Sequence, residues 1–84
     1  MVIHVEFILT DYLYNYTGDM NIDVVNGACN ISAQLAQLGL NYHTDYWFNS
    51  AYLTPTGVRY IIFGFTDPGD AMLIKIRGLI KING

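Results

Sequence analysis

The chain has 84 residues and a mass of 9.5 kDa, enough for one domain with a small core and too little for separate cofactor and substrate domains. Hydrophobic residues make up 52% and charged residues only 13%, which excludes intrinsic disorder, a state that needs low hydrophobicity and high charge. Seven acids against four bases leave a net charge of −3 and a pI near 4.9. That balance argues against direct nucleic-acid binding, which draws on clustered Lys and Arg.

The opening residues carry no basic segment, and His4 and Glu6 interrupt their apolar run, so no signal peptide is expected. The longest nearly apolar stretches, Tyr60 to Phe65 and Ala71 to Ile74, fall far short of the roughly 20 residues that cross a bilayer. Cys29 has no cysteine to pair with, which suits a reducing compartment. Asn30-Ile31-Ser32 matches a glycosylation sequon, a match without consequence outside a secretory route. A single cytoplasmic domain over residues 1–84, with no membrane partner, is the expectation.

Residues 2–9 alternate, with Ile3, Val5, Phe7 and Leu9 to one side and Val2, His4, Glu6 and Ile8 to the other, the period of a half-buried strand. Tyr12, Tyr14 and Tyr16 repeat every second residue and would prolong that strand as far as the turn residues Thr17-Gly18-Asp19. From about Asn21 to Leu38 the period becomes helical: Val24, Ala28, Ile31, Leu35 and Leu38 form one apolar stripe. Asp19, Asn21 or Asp23 can cap its start, and Gly39 is a fitting left-handed stop. Gly27 costs that helix about 1 kcal/mol against alanine, which points to close packing on a sheet.

Alternation returns from Tyr42 to Leu53. Tyr42, Thr44, Tyr46, Phe48 and Tyr52 fall on one face, and His43, Asp45, Trp47, Ala51 and Leu53 on the other. Thr54-Pro55-Thr56-Gly57 is a turn and Val58 to Thr66 a second strand, so residues 42–66 read as a β-hairpin. Asp67-Pro68-Gly69-Asp70 opens a helix expected to run from Pro68 to about Gly78, with Lys75, Arg77 and Lys81 toward its far end. An extended tail follows; a strand over the alternating Ile74, Ile76, Ile80 and Ile82 is the competing reading. The order β-α-β-β-α, with or without a final short strand, predicts an α+β domain: an antiparallel sheet with two helices on one face. In that order of elements the chain resembles the ferredoxin-like split β-α-β fold, which hosts many unrelated functions.

Chemistry-bearing patterns are sparse. His4, His43 and Cys29 show no metal-ligand spacing, and His43 with Asp45 makes at best half a site. Cys29 has no glycine-rich elbow or cationic neighbour and reads as a small buried residue. The acids near the helix starts, including Asp67 and Asp70, are explained by capping. There is no phosphate-binding glycine loop, and Gly64 between Phe63 and Phe65 suggests a bulge or a close backbone approach. No catalytic residue, cofactor or metal is expected.

The remaining anomaly is aromatic. Seven tyrosines, four phenylalanines and one tryptophan exceed what so small a core can hold beyond Phe7, Phe63, Phe65 and Trp47 or Phe48. Tyr12, Tyr14, Tyr16, Tyr42, Tyr46 and Tyr52 are therefore expected at the surface. With Asp11, Asp19, Asp23 and Asp45 they form the predicted partner-binding set, since tyrosine offers large contact area at low entropic cost. In size, acidity and lack of catalytic motifs the chain resembles small phage-encoded inhibitors of host defence, such as anti-CRISPR and anti-restriction proteins. That resemblance implies a non-enzymatic protein that binds a host protein and blocks its handling of nucleic acid, its acids competing for a basic groove. Two other classes fit the same features: a regulatory domain that binds a ligand as a homodimer, and a structural subunit that assembles through strand edges.

Overall fold

In the computed structural model, which describes residues 2–82, the first alternating segment forms β1 (Ile3–Ile8). Helix α1 (Met20–Gln37), strands β2 (Tyr46–Leu53) and β3 (Arg59–Phe65) and helix α2 (Pro68–Arg77) follow. The sheet order is β1-β3-β2, and both outer strands run antiparallel to β3. β1 and β2 are therefore parallel to each other, split by β3 and joined through α1. This is the ferredoxin-like arrangement without its last strand among the described residues.

Local chemistry sets the helix ends. Asp19 caps α1, its carboxylate accepting from the amides of Asn21 (2.9 Å) and Ile22 (3.4 Å). At the other end Gly39 takes φ 87°, and its N–H donates to the Ala36 carbonyl while that of Leu40 donates to the Leu35 carbonyl, a Schellman stop. Asp67 caps α2 by accepting from the Gly69 amide at 2.8 Å, with Pro68 at the first helical position. From Gly78 (φ 72°) to Ile82 the described residues belong to no helix or strand. Gln34 of α1 instead holds Ile80 at both backbone groups, donating to its carbonyl (2.7 Å) and accepting from its amide (2.8 Å).

Both helices cover the same sheet face. Val5, Phe7, Ile61, Phe63, Phe65 and Tyr46 point into the core, where they meet Ile31 and Leu35 of α1 and Ala71 and Ile74 of α2. Phe63 stands at the middle, edge-on to Phe7 with centroids 5.8 Å apart. Gly27 lets α1 approach closely: a Cβ there would overlap Leu9 Cδ1 and lie 3.1 Å from Ile61 Cδ1.

Three sequence expectations need correction. β1 does not continue to Tyr16. Residues Leu9–Tyr12 form a 3-10 turn instead, because Leu9, Tyr12 and Leu13 share one side of such a turn and all three enter the core. β2 begins at Tyr46 rather than Tyr42, since residues 43–45 turn with His43 at φ 72° and Tyr42 makes only an isolated bridge to Tyr46. The alternation within β2 is also broken by a bulge at Asn49: Phe48 pairs with Phe63, yet Ser50 pairs with Ile62. Beyond it the faces exchange, so Tyr52 leaves the face of Tyr46 and Phe48.

Replacing Gly27 by alanine separates helix propensity from packing. Propensity alone would add about 1 kcal/mol, but overfilling the contact with Leu9 and Ile61 is expected to cost more, for a net loss of about 1–2 kcal/mol in urea unfolding. An unchanged or higher stability would mean that α1 does not depend on that close approach.

Candidate functional site

Among the described residues no helix lies on the second face of the sheet, and strand register arranges its side chains in three rows. His4, Gly64 and Trp47 form the first row, Glu6, Ile62 and Ser50 the second, and Ile8, Tyr60 and Tyr52 the third. The rings of Tyr52 and Tyr60 stack with centroids 5.3 Å apart and planes 17° from parallel. Trp47 lies across Gly64, where an added Cβ would come within 2.8 Å of two ring carbons. The glycine thus makes room for an indole seated against the strand backbone. Ile62 sits between these aromatic rows as the central apolar residue of the face. At the margin Tyr52 Oη donates to Glu6 Oε2 at 2.8 Å. That bond, reinforced by burial and the carboxylate's charge, raises the pKa of the Tyr52 hydroxyl above the usual tyrosine value.

The residues expected to bind a partner do not converge. Tyr14 and Tyr16 are 74% and 59% exposed in the loop before α1, beside the exposed cap Asp19. Tyr42 is exposed at the mouth of an apolar groove of about 320 Å³, between α1 and β2, that also involves Val24, Ala28, Cys29 and Phe48. Tyr52 is 40% exposed and belongs to the open sheet face.

Tyr12 and Tyr46, expected at the surface, are instead buried, at 5% and 1% exposure. The 3-10 turn brings Tyr12 edge-on to Phe7 at 5.7 Å. Its hydroxyl pKa is raised by that burial and by the neighbouring Asp11. Tyr46 opens β2 on the core side, near Phe63 and Phe65, and its hydroxyl meets that of Ser32 on α1. The Ser32 hydroxyl gives the polar tip of Tyr46 a partner inside, which makes that burial cheap enough to occur.

Three of the four acids, Asp19, Asp23 and Asp45, serve the local backbone. Asp23 is buried, accepting from the Thr17 amide (2.9 Å) and hydroxyl (2.8 Å). Asp45 accepts from the Asn41 amide at 2.7 Å, and Asp11 lies 3.6 Å from the Lys81 ammonium. Cys29, expected to be buried, is exposed, because α1 packs through Gly27, Ile31 and Leu35 and turns Cys29 outward. His4 stands on the open face within 3.4 Å of Asn49, and His43 sits in the turn before β2.

Trp47, Tyr60, Ile62, Ile8 and Glu6 were not among the expected site residues. Alternation in β1 places Glu6 and Ile8 opposite the core, and the same period in β3 does so for Tyr60 and Ile62 once Phe63 and Phe65 are taken as core. No family model matches the chain, and neither a curated protein nor a solved structure matches it. No helix among the described residues is long and apolar enough to cross a membrane.

Two measurements check the geometry of this face. Trp47 is the single tryptophan, so Gly64→Ala should lift the indole off the sheet and shift its fluorescence to longer wavelength while the fold persists; an unmoved emission would contradict the seat over Gly64. Glu6→Gln removes the carboxylate that favours the neutral Tyr52 hydroxyl. Tyr52 should then ionise at a lower pH than in the parent, as followed by NMR of its ring, whereas an unchanged titration would show that the bond does not form.

Proposed function

We propose that the chain is a small non-enzymatic protein-binding module whose contact surface is the open face of the sheet. The observation that supports this reading most directly is the juxtaposition of Trp47, Ile62, Tyr60, Tyr52 and Ile8 on a face that no helix covers. Rigid aromatic side chains on a hydrogen-bonded sheet lose little entropy on contact, and tyrosine and tryptophan are the residues most enriched at binding hot spots. Glu6 and the stacked tyrosine hydroxyls supply a polar margin, the anatomy of a protein-binding patch.

The role we propose is inhibition of a host protein by occupation of its nucleic-acid-handling surface, as in phage- or mobile-element-encoded inhibitors of the anti-CRISPR or anti-restriction type. Small size and the net charge of −3 support it, because an acidic body is steered toward a basic groove. Asp11, Asp19, Asp23 and Asp45 contribute to that long-range field, while the contact itself falls to the sheet aromatics and Glu6.

Affinity capture from the native host with three forms of the chain tests the reading. The parent and Ile76→Asp, altered on the exposed side of α2, should both recover one protein in near-equimolar amount. Ile62→Asp, at the centre of the open face, should reduce that recovery at least tenfold, since a charge buried in such a contact has no partner. Recovery of no stoichiometric protein, or equal recovery by all three, would overturn it. Displacement of nucleic acid from the captured protein distinguishes the inhibitory role from binding alone.

A further inference from the structure

β1 is an edge of the sheet: it pairs with β3 on one side, and among the described residues no strand lies on its other side. The segment after α2 is drawn elsewhere, held at Ile80 by Gln34 and at Ile82 by a 2.7 Å bond from its amide to the Asp11 carbonyl. Beside the free edge runs a groove of about 470 Å³, lined by the consecutive residues His4 to Ile8 and walled by Ile74, Lys75 and Leu79. Consecutive strand residues point to opposite faces, so a groove that all of them line exposes the backbone edge itself.

The two edges of this sheet differ. β2 carries the bulge at Asn49, a device that interrupts pairing with another strand. β1 pairs in unbroken register from Ile3 to Ile8 and contains no proline, glycine or lysine. Apart from the single charge of Glu6, the edge carries none of the devices that block pairing with another strand.

We infer that the occupant of this edge is β1 of a second copy of the chain, added antiparallel about a two-fold axis through Val5. In that register Val5 faces its own counterpart, Ile3 faces Phe7 of the second copy on the core side, and His4 faces its Glu6 on the open side. Each two-fold interface repeats the His4–Glu6 pair, and an imidazole N–H can donate to the carboxylate oxygen that Tyr52 leaves free. The competing axis through Glu6 pairs as many residues but sets the two carboxylates against each other, an arrangement that destabilises cross-strand pairs. Joining two three-stranded sheets at β1 gives one continuous sheet whose open faces adjoin. The inference stands apart from the identity of any host partner.

Strand pairing of this length buries little area, so the dimer should dissociate on the order of 100 µM. Sedimentation equilibrium from roughly 10 µM to 1 mM tests it, with circular dichroism confirming that each variant is folded. The average mass should rise from 9.5 kDa toward twice that value. His4→Lys should tighten the dimer and Glu6→Lys weaken it, each about tenfold because the pair occurs twice. The double variant H4E/E6K, which exchanges the charges, should recover association relative to E6K, and Leu53→Asp, exposed on β2 at the other edge of the sheet, should leave the dimer unchanged. A mass of 9.5 kDa throughout, a dimer indifferent to the charge substitutions, or a dimer lost in Leu53→Asp would each overturn the inference.

Discussion

The constraint on which this structure turns is that the chain supplies helices for only one face of its sheet. In a strand every second side chain faces the same way, so the residues that build the core under α1 and α2 are interleaved with residues on a face that no helix among the described residues covers. Val5, Phe7, Ile61, Phe63 and Phe65 are buried, and Glu6, Ile8, Tyr60, Ile62 and Gly64 are their necessary alternates. Had those alternates been uniformly polar, the open face would be an ordinary solvated surface. They are instead largely apolar or aromatic, so three of the surplus rings, Trp47, Tyr52 and Tyr60, collect where the fold offers no internal partner.

Two irregularities organise that face. The bulge at Asn49 moves Tyr52 from the core side to the open side, where it stacks on Tyr60 and reaches Glu6. Gly64 removes the side chain that would clash with Trp47. A bulge and a glycine in neighbouring strands each weaken a sheet locally, yet together they place Trp47, Tyr52 and Tyr60 on one face. The same bulge marks β2 as the interrupted edge and leaves β1 as the regular one.

Much of the fold was legible in the sequence because its determinants are local. Alternation over residues 3–8, the stripe Ile31–Leu35–Leu38, the Asp67-Pro68 helix start and the Thr54–Gly57 turn each act through neighbouring residues. The surface was less legible because its determinants are tertiary. Nothing in Phe48-Asn49-Ser50 marks Asn49 as the residue that bulges, so strict alternation places Tyr52 on the opposite face from the one it occupies. Tyr12 and Tyr46 resemble Tyr14 and Tyr42 in sequence, but only the folded turn and the hydroxyl of Ser32 show that the first pair is buried. The acids read as candidates for a partner also have short side chains suited to bonding nearby backbone amides, and that is where the structure uses Asp19 as a helix cap and Asp23 and Asp45 in the adjoining loops.

Hydroxyl-radical footprinting of the chain, alone and bound to its captured partner, tests the central claim most directly, since it reports side-chain exposure residue by residue. Binding should shield Trp47, Tyr52 and Tyr60 while Tyr14 and Tyr16, in the loop before α1, stay as reactive as in the free chain. Shielding of Tyr14 and Tyr16 with the sheet aromatics still reactive would contradict the assignment of the open face as the contact surface.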